Sequence, residues 1–131
     1  MIRFAYTILY VRDVAASLAF YEQAFGLQKK FMTPERDYGE LLSGETTLAF
    51  ASRELGNSNL SAGYIPSEAG GKPFGFELAF TSDNVQESVD AALAAGGKLL
   101  EPMKTKPWGQ DVAYVQDLDG FLLEICTPMA G

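Results

Sequence analysis

Residues 6–26, YTILYVRDVAASLAFYEQAFG, decide the reading of this chain, because residues 77–97, ELAFTSDNVQESVDAALAAGG, repeat their plan. A shift of 71 residues lays Asp13 on Asn84, Val14 on Val85, Ser17 on Ser88 and Gly26 on Gly97. In each copy an alternating apolar run leads into an Asp/Asn-Val start signal. An Ala-rich amphipathic segment follows and stops at glycine. A plan repeated across half the chain points to two copies of one supersecondary unit.

In the first copy, residues 3–11 alternate as a strand, with Phe4, Tyr6, Ile8 and Tyr10 on one face and Ala5, Thr7, Leu9 and Val11 on the other. Asp13 is a good N-cap, since its carboxylate can accept the free amides of the following turn. Val14, Leu18, Tyr21 and Phe25 recur at helical spacing, and Gly26 supplies the stop. Strands are then predicted at 28–33, 37–42 and 46–52, the last two joined by Ser43-Gly44-Glu45.

Residues 53–72 are polar and rich in Gly, Ser and Asn, which marks a linker. The second copy opens with a strand from Phe74, on which Gly75, Glu77, Ala79 and Thr81 share a face. Asn84 and Glu87 form a capping-box-like start, Val85, Val89 and Leu93 carry the apolar stripe, and Gly96-Gly97 end the helix. A short strand at 98–100, a Pro-containing loop at 101–107, and a hairpin of 111–116 with 121–127 complete it.

Each half thus reads βαβββ. The expected fold is α+β: two such modules, at 1–52 and 73–131 of a single domain, forming a curved half-barrel mixed sheet with helices on its convex side. Leu9, Val11, Leu78 and Phe80 should pack under helices, while Tyr6, Ile8, Tyr10, Glu77 and Ala79 should face the concave side.

Bulk composition narrows the function. A chain of 131 residues, 47% apolar and 21% charged, can bury a real core. A net charge of −7 argues against nucleic acid, whose binding relies on clustered Lys and Arg. No apolar run approaches the roughly 20 residues of a membrane span, so no membrane partner is expected. The start MIRFAYTILY lacks the parts of a signal peptide, and one cysteine, Cys126, allows no internal disulfide. A cytoplasmic location is the expectation.

The stretches YVRDVAASLAFYEQAFGL near the start and KPWGQDVAYVQDLDGFLLEI near the end, on the repeated βαβββ plan, resemble the vicinal oxygen chelate superfamily, the glyoxalase/bleomycin resistance/dioxygenase group. The resemblance covers essentially the whole chain. It implies a concave sheet holding a small ligand, often with a divalent metal, and a homodimer. Its members range over isomerases, dioxygenases, thiol transferases and metal-free antibiotic-binding proteins, so the chemistry must be argued from the site.

By this resemblance, the four ligand positions of metal-dependent members fall on Tyr6, Ala49, Glu77 and Glu124. Ala49 has no donor, and Tyr6 is an unusual ligand. The chain has no histidine, which excludes a two-His-one-carboxylate iron site built from it. No cofactor is therefore expected. The fallback is a weakly held Mg or Mn on Glu77 and Glu124 with water.

Without metal, Glu77 and Glu124 could bind a cationic group, act as general acid and base, or pair with an Arg or a tyrosine hydroxyl and only hold the sheet. Trp108, after Lys106-Pro107, offers a flat wall with cation–π capacity or serves packing. Tyr6, Tyr10, Tyr38 and Phe74 are further candidates to line the cavity, with Tyr64 in the linker. Cys126, on the face of Glu124, reads as a packing residue. The leading expectation is metal-independent binding of a small aromatic or cationic molecule. The alternative is a glyoxalase-type lyase or isomerase using Glu77 and Glu124.

Overall fold

A computed structural model describes residues 1–129. Its elements run β1 (Tyr6–Val11), α1 (Val14–Phe25), β2 (Gln28–Met32), β3 (Tyr38–Ser43), β4 (Thr46–Ser52), α2 (Arg53–Asn59), β5 (Leu78–Thr81), α3 (Val85–Ala94), β6 (Lys98–Thr105), β7 (Asp111–Gln116) and β8 (Leu122–Cys126). They form two open four-stranded sheets, ordered β1-β4-β3-β2 and β5-β8-β7-β6. In each sheet the first pair is parallel and the other two are antiparallel. The repeat read from the sequence is therefore a repeat of topology as well, and the α+β plan of two βαβββ modules stands.

The chain divides into two compact units, one of residues 1–22 and 26–66, the other of residues 23–25 and 67–129 among those described. In the first unit α1 starts where the Asp13 carboxylate accepts the Ala16 amide at 3.0 Å, and it ends at Gly26, whose φ of 69° suits glycine. Val14, Leu18 and Tyr21 from α1 are buried with Leu9, Val11, Leu41, Leu48 and Phe50 from the sheet. The Tyr21 and Phe50 rings lie 5.1 Å apart. A β-carbon at Gly39 would meet Leu18 and Val14, so α1 rides directly on β3 there.

In the second unit α3 is capped by Asn84, whose side chain accepts the Glu87 amide at 3.1 Å. Its Val85, Val89 and Ala92 are buried, as are Ala113, Val115, Leu123 and Ile125 of the sheet. Leu93, expected in the stripe, is 37% exposed, and the small Ala92 takes the buried place next to it.

Four boundaries differ from the sequence reading. Residues 3–5 lie outside β1, and β5 starts at Leu78, which leaves Phe74 and Glu77 before it. The stretch 101–105, expected as loop because of Pro102, continues β6. Its pairing with β7 shifts between Leu99 and Glu101 and again between Glu101 and Lys104, and such irregularities let a strand tolerate proline. The polar linker contains α2, capped by Ser52, whose side chain accepts the Leu55 amide at 3.1 Å. Its helix signal is short and masked by Gly56.

The end of the linker, at 68–71, is fastened to the β7–β8 turn. Gln116 Nε2 donates to the carbonyls of Gly71 and Gly120, both at 2.9 Å. Asp117 accepts the amides of Asp119 and Phe121 and shapes the turn. The Glu68 carbonyl lies so close to Gly120 that a β-carbon there has no room. No helix among the described residues is long and apolar enough to cross a membrane.

Candidate functional site

Strand register places the polar groups of each sheet. In the second sheet one row across the strands reads Ala79 on β5, Glu124 on β8, Tyr114 on β7 and Glu101 on β6. Leu123 and Ile125, on either side of Glu124, are wholly buried, while Glu124 and Tyr114 are half-buried on the opposite face. Alternation along β8 thus turns the carboxyl away from the core.

Glu124 gathers the donors of that face. The Tyr114 hydroxyl donates to its Oε1 at 2.9 Å. The Cys126 thiol, two residues along the same strand, and the carboxyl of Glu77 stand beside it. The two carboxyls thus stand close enough to act on each other. Loss of water from the Glu77 carboxyl, then the charge of Glu124, push its pKa upward. The same carboxylate pushes the Tyr114 phenol up to about 12, mainly through the hydrogen bond. The Cys126 thiol is raised first by burial and then by Glu124, which suits a packing residue and not a nucleophile.

The first sheet carries the corresponding row Ile8, Ala49, Glu40 and Phe31. Ala49 holds the register place of Glu124, and its methyl is wholly buried. Tyr6 is 54% exposed. Tyr10 is half-buried, its ring against Gly56 of α2 and 4.8 Å from the Tyr64 ring, whose hydroxyl donates to the Arg53 carbonyl. Tyr38 donates to Glu40 Oε2 at 2.7 Å, and burial followed by that carboxyl raises its pKa.

Phe74 is exposed ahead of β5. Trp108 is 63% exposed, with Nε1 donating to Gln110 Oε1 at 2.7 Å, while Gln110 Nε2 donates to the Thr127 carbonyl. It lines a small open cavity of about 180 Å³ with Gly109, Gln110, Pro128 and Met129. So Glu77 and Glu124 come together, whereas Trp108 sits in its own cavity. Tyr114 and Glu40 were absent from the sequence candidates. Both follow from hairpin register, because counting back from the turns pairs Tyr114 with Glu124 and Glu40 with Ala49.

The donor set does not fit the four-ligand metal site implied by the resemblance. One position is a buried methyl, another is an exposed phenol, and only the remaining two are carboxyls. Among the described residues no three His, Cys, Asp or Glu side chains are grouped to hold a metal ion.

Comparison with known proteins agrees with the topology. The chain is 30% identical over 128 residues to a putative lactoylglutathione lyase of Brassica oleracea var. gemmifera, covering 94% of this chain and 43% of that protein. It thus spans less than half the length of the plant relative. A probable lactoylglutathione lyase of Vibrio parahaemolyticus is 29% identical over 131 residues, covering 94% of this chain and 88% of that one. The crystal structure of a glyoxalase-related enzyme from Fulvimarina pelagi matches with a TM-score of 0.81 at 25% identity, over 98% of this chain and 89% of the other. Residues 3–125 match the family profile itself, and the chain belongs to the Glyoxalase/Bleomycin resistance protein/Dioxygenase superfamily.

Proposed function

We propose that this chain binds a small organic molecule without a metal, and that Glu124 receives the ligand's hydrogen-bond-donating or cationic group. One observation carries the reading: Glu124 is held by the Tyr114 hydroxyl at 2.9 Å on the face of the sheet turned away from the core, with Glu77 beside it. A carboxyl fixed on a rigid strand and carrying acceptor capacity is a directional anchor. Glu77, exposed and outside β5, leaves that face open to a ligand donor.

The test is calorimetric titration of a panel of cationic and aromatic compounds against wild type and Glu124→Gln. Binding by wild type with about tenfold or greater weakening in the variant supports the reading, on the scale of one charge-assisted hydrogen bond. A panel without binders, or equal binding by the variant, rejects it.

A second reading is favoured by the names of the relatives, two of which are called lactoylglutathione lyase. In it the Glu77–Glu124 pair takes a proton from a carbon acid and returns it to the neighbouring carbon. A carboxyl pushed upward in pKa is better matched to such work near neutral pH. Turnover of hemithioacetals with added Mg, Mn, Ni or Zn tests it. Activity lost in both Glu77→Gln and Glu124→Gln supports the lyase, and activity indifferent to both removes these residues from it.

A further inference from the structure

Residues 1–5, MIRFA, stand ahead of β1, with Ile2 96% and Phe4 83% exposed. The ladder between β1 and β4 opens with Tyr6 against Thr47, so it stops short of these residues. Yet the apolar alternation of β1 carries on through them. Ile2, Phe4, Tyr6 and Ile8 recur at every second position, and Tyr6 and Ile8 are themselves about half exposed. Large apolar side chains left in water at strand spacing are the pattern of a strand that lacks a neighbour.

β1 is also an end strand without protection. The two sheets end on β1, β2, β5 and β6. β2 carries Lys29 and Lys30, with a register shift between Lys29 and Phe31. β6 carries Lys98, Pro102 and Lys104, with two register shifts. β5 is only four residues long. Lysines, proline, irregular pairing and shortness all discourage another chain from adding to an edge. β1 has none of these: its six residues, YTILYV, are uncharged, and its register with β4 is unbroken. Its outer edge presents amides and carbonyls ready to take a further strand.

We propose that residues 1–9 pair antiparallel with the same residues of a second copy of this chain, about a two-fold axis at Ala5. Side chains directly opposite in an antiparallel pair lie on one face, so only a register centred on a residue keeps even positions with even ones. A centre at Ala5 sets Ile2 opposite the partner's Ile8 and Phe4 opposite the partner's Tyr6. Apolar and aromatic pairs of this kind are the favourable ones across strands. This register uses all four exposed side chains. It leaves out Tyr10, whose ring is already covered by Gly56 and Tyr64.

The occupant is a second copy because the run is complementary to itself. Residues 1–9 hold no carboxylate, so two chains of net charge −7 meet along a stretch free of negative charge. The ladder buries on the order of 1,000 Å² over both copies, the size at which a specific interface begins. The sheet β1-β4-β3-β2 of each copy then continues into that of the other through β1, and the symmetric contact closes at two copies. Neither reading of Glu124 is needed for this contact.

Sedimentation equilibrium of the full chain reads the dimer and its dissociation constant, and wild type should be dimeric across the micromolar range. Ile2→Lys and Phe4→Lys change side chains that are 96% and 83% exposed in the single chain. Each should weaken the dimer about tenfold or more while circular dichroism shows helices and sheets intact. Ala5→Cys tests the register. Its two copies face each other across the axis, within the roughly 4.4–6.8 Å between α-carbons that a disulfide spans. Mild oxidation should therefore link them, and Gln86→Cys, exposed on α3, should link far more slowly. Cys126 is buried and is the same in both variants. A chain that stays monomeric overturns the proposal. So does a dimer unmoved by both lysine variants, or Ala5→Cys linking no faster than Gln86→Cys.

Discussion

At the scale of single residues, Glu124 is where strand alternation and chemistry meet. Its neighbours Leu123 and Ile125 are locked in the core, so its carboxyl has one direction to take, toward the Tyr114 hydroxyl. The Tyr114 phenol reports on that cluster. In spectrophotometric titration of the tyrosines, one phenol should ionise near about 12 in the wild type and move back toward 10 in Glu124→Gln. Glu77 gives a second test. Its carboxyl binds its proton more tightly in the folded chain, so its contribution to stability is full below the ordinary glutamate value and is lost as pH rises through the raised one. Relative to Glu77→Gln, the wild type should become less stable as pH rises from about 4 toward neutrality. With no histidine in the chain, imidazole titration does not obscure the difference. Urea unfolding of both proteins across that range measures it.

At the scale of elements, caps and turns explain why the modules start and stop where they do. Asp13→Ala removes the acceptor for the Ala16 amide and should cost about 1 kcal/mol. The β7–β8 turn is under a stricter demand. Gly120 has φ 86° and faces the Glu68 carbonyl, so Gly120→Ala combines backbone strain with a collision. A loss of about 2–4 kcal/mol is expected, read from the urea midpoint, with strain and overpacking adding. Both helices of the repeat were legible because cap, stripe and glycine stop agreed with one another. α2 was not, since seven residues containing a glycine give too little periodicity to outweigh a polar linker composition. The end of β6 was missed because proline usually breaks a strand, and the irregular pairing that admits it depends on the partner strand.

For the molecule as a whole, stability rests on burial in both units, since one buried cysteine offers no cross-link. Phe50 on β4 and Leu123 on β8 flank the corresponding places of Ala49 and Glu124, each with no exposed surface. Leu123→Ala should cost about 2–5 kcal/mol and Phe50→Ala about 3–5 kcal/mol in calorimetric or urea unfolding. A surface-sized loss at either site would show that its unit is loosely packed. The sequence by itself determined the repeated βαβββ plan, the family and the carboxyl at Glu124, because alternation, caps and turns are local and the repeat states them twice. Tertiary structure alone decided how the polar groups are partnered. Whether Glu77 comes beside Glu124, and whether Glu40 is met by Tyr38 and Lys30, depends on burial and side-chain direction across strands. Those distances are set by packing, and neighbours in space leave no periodic mark on the chain.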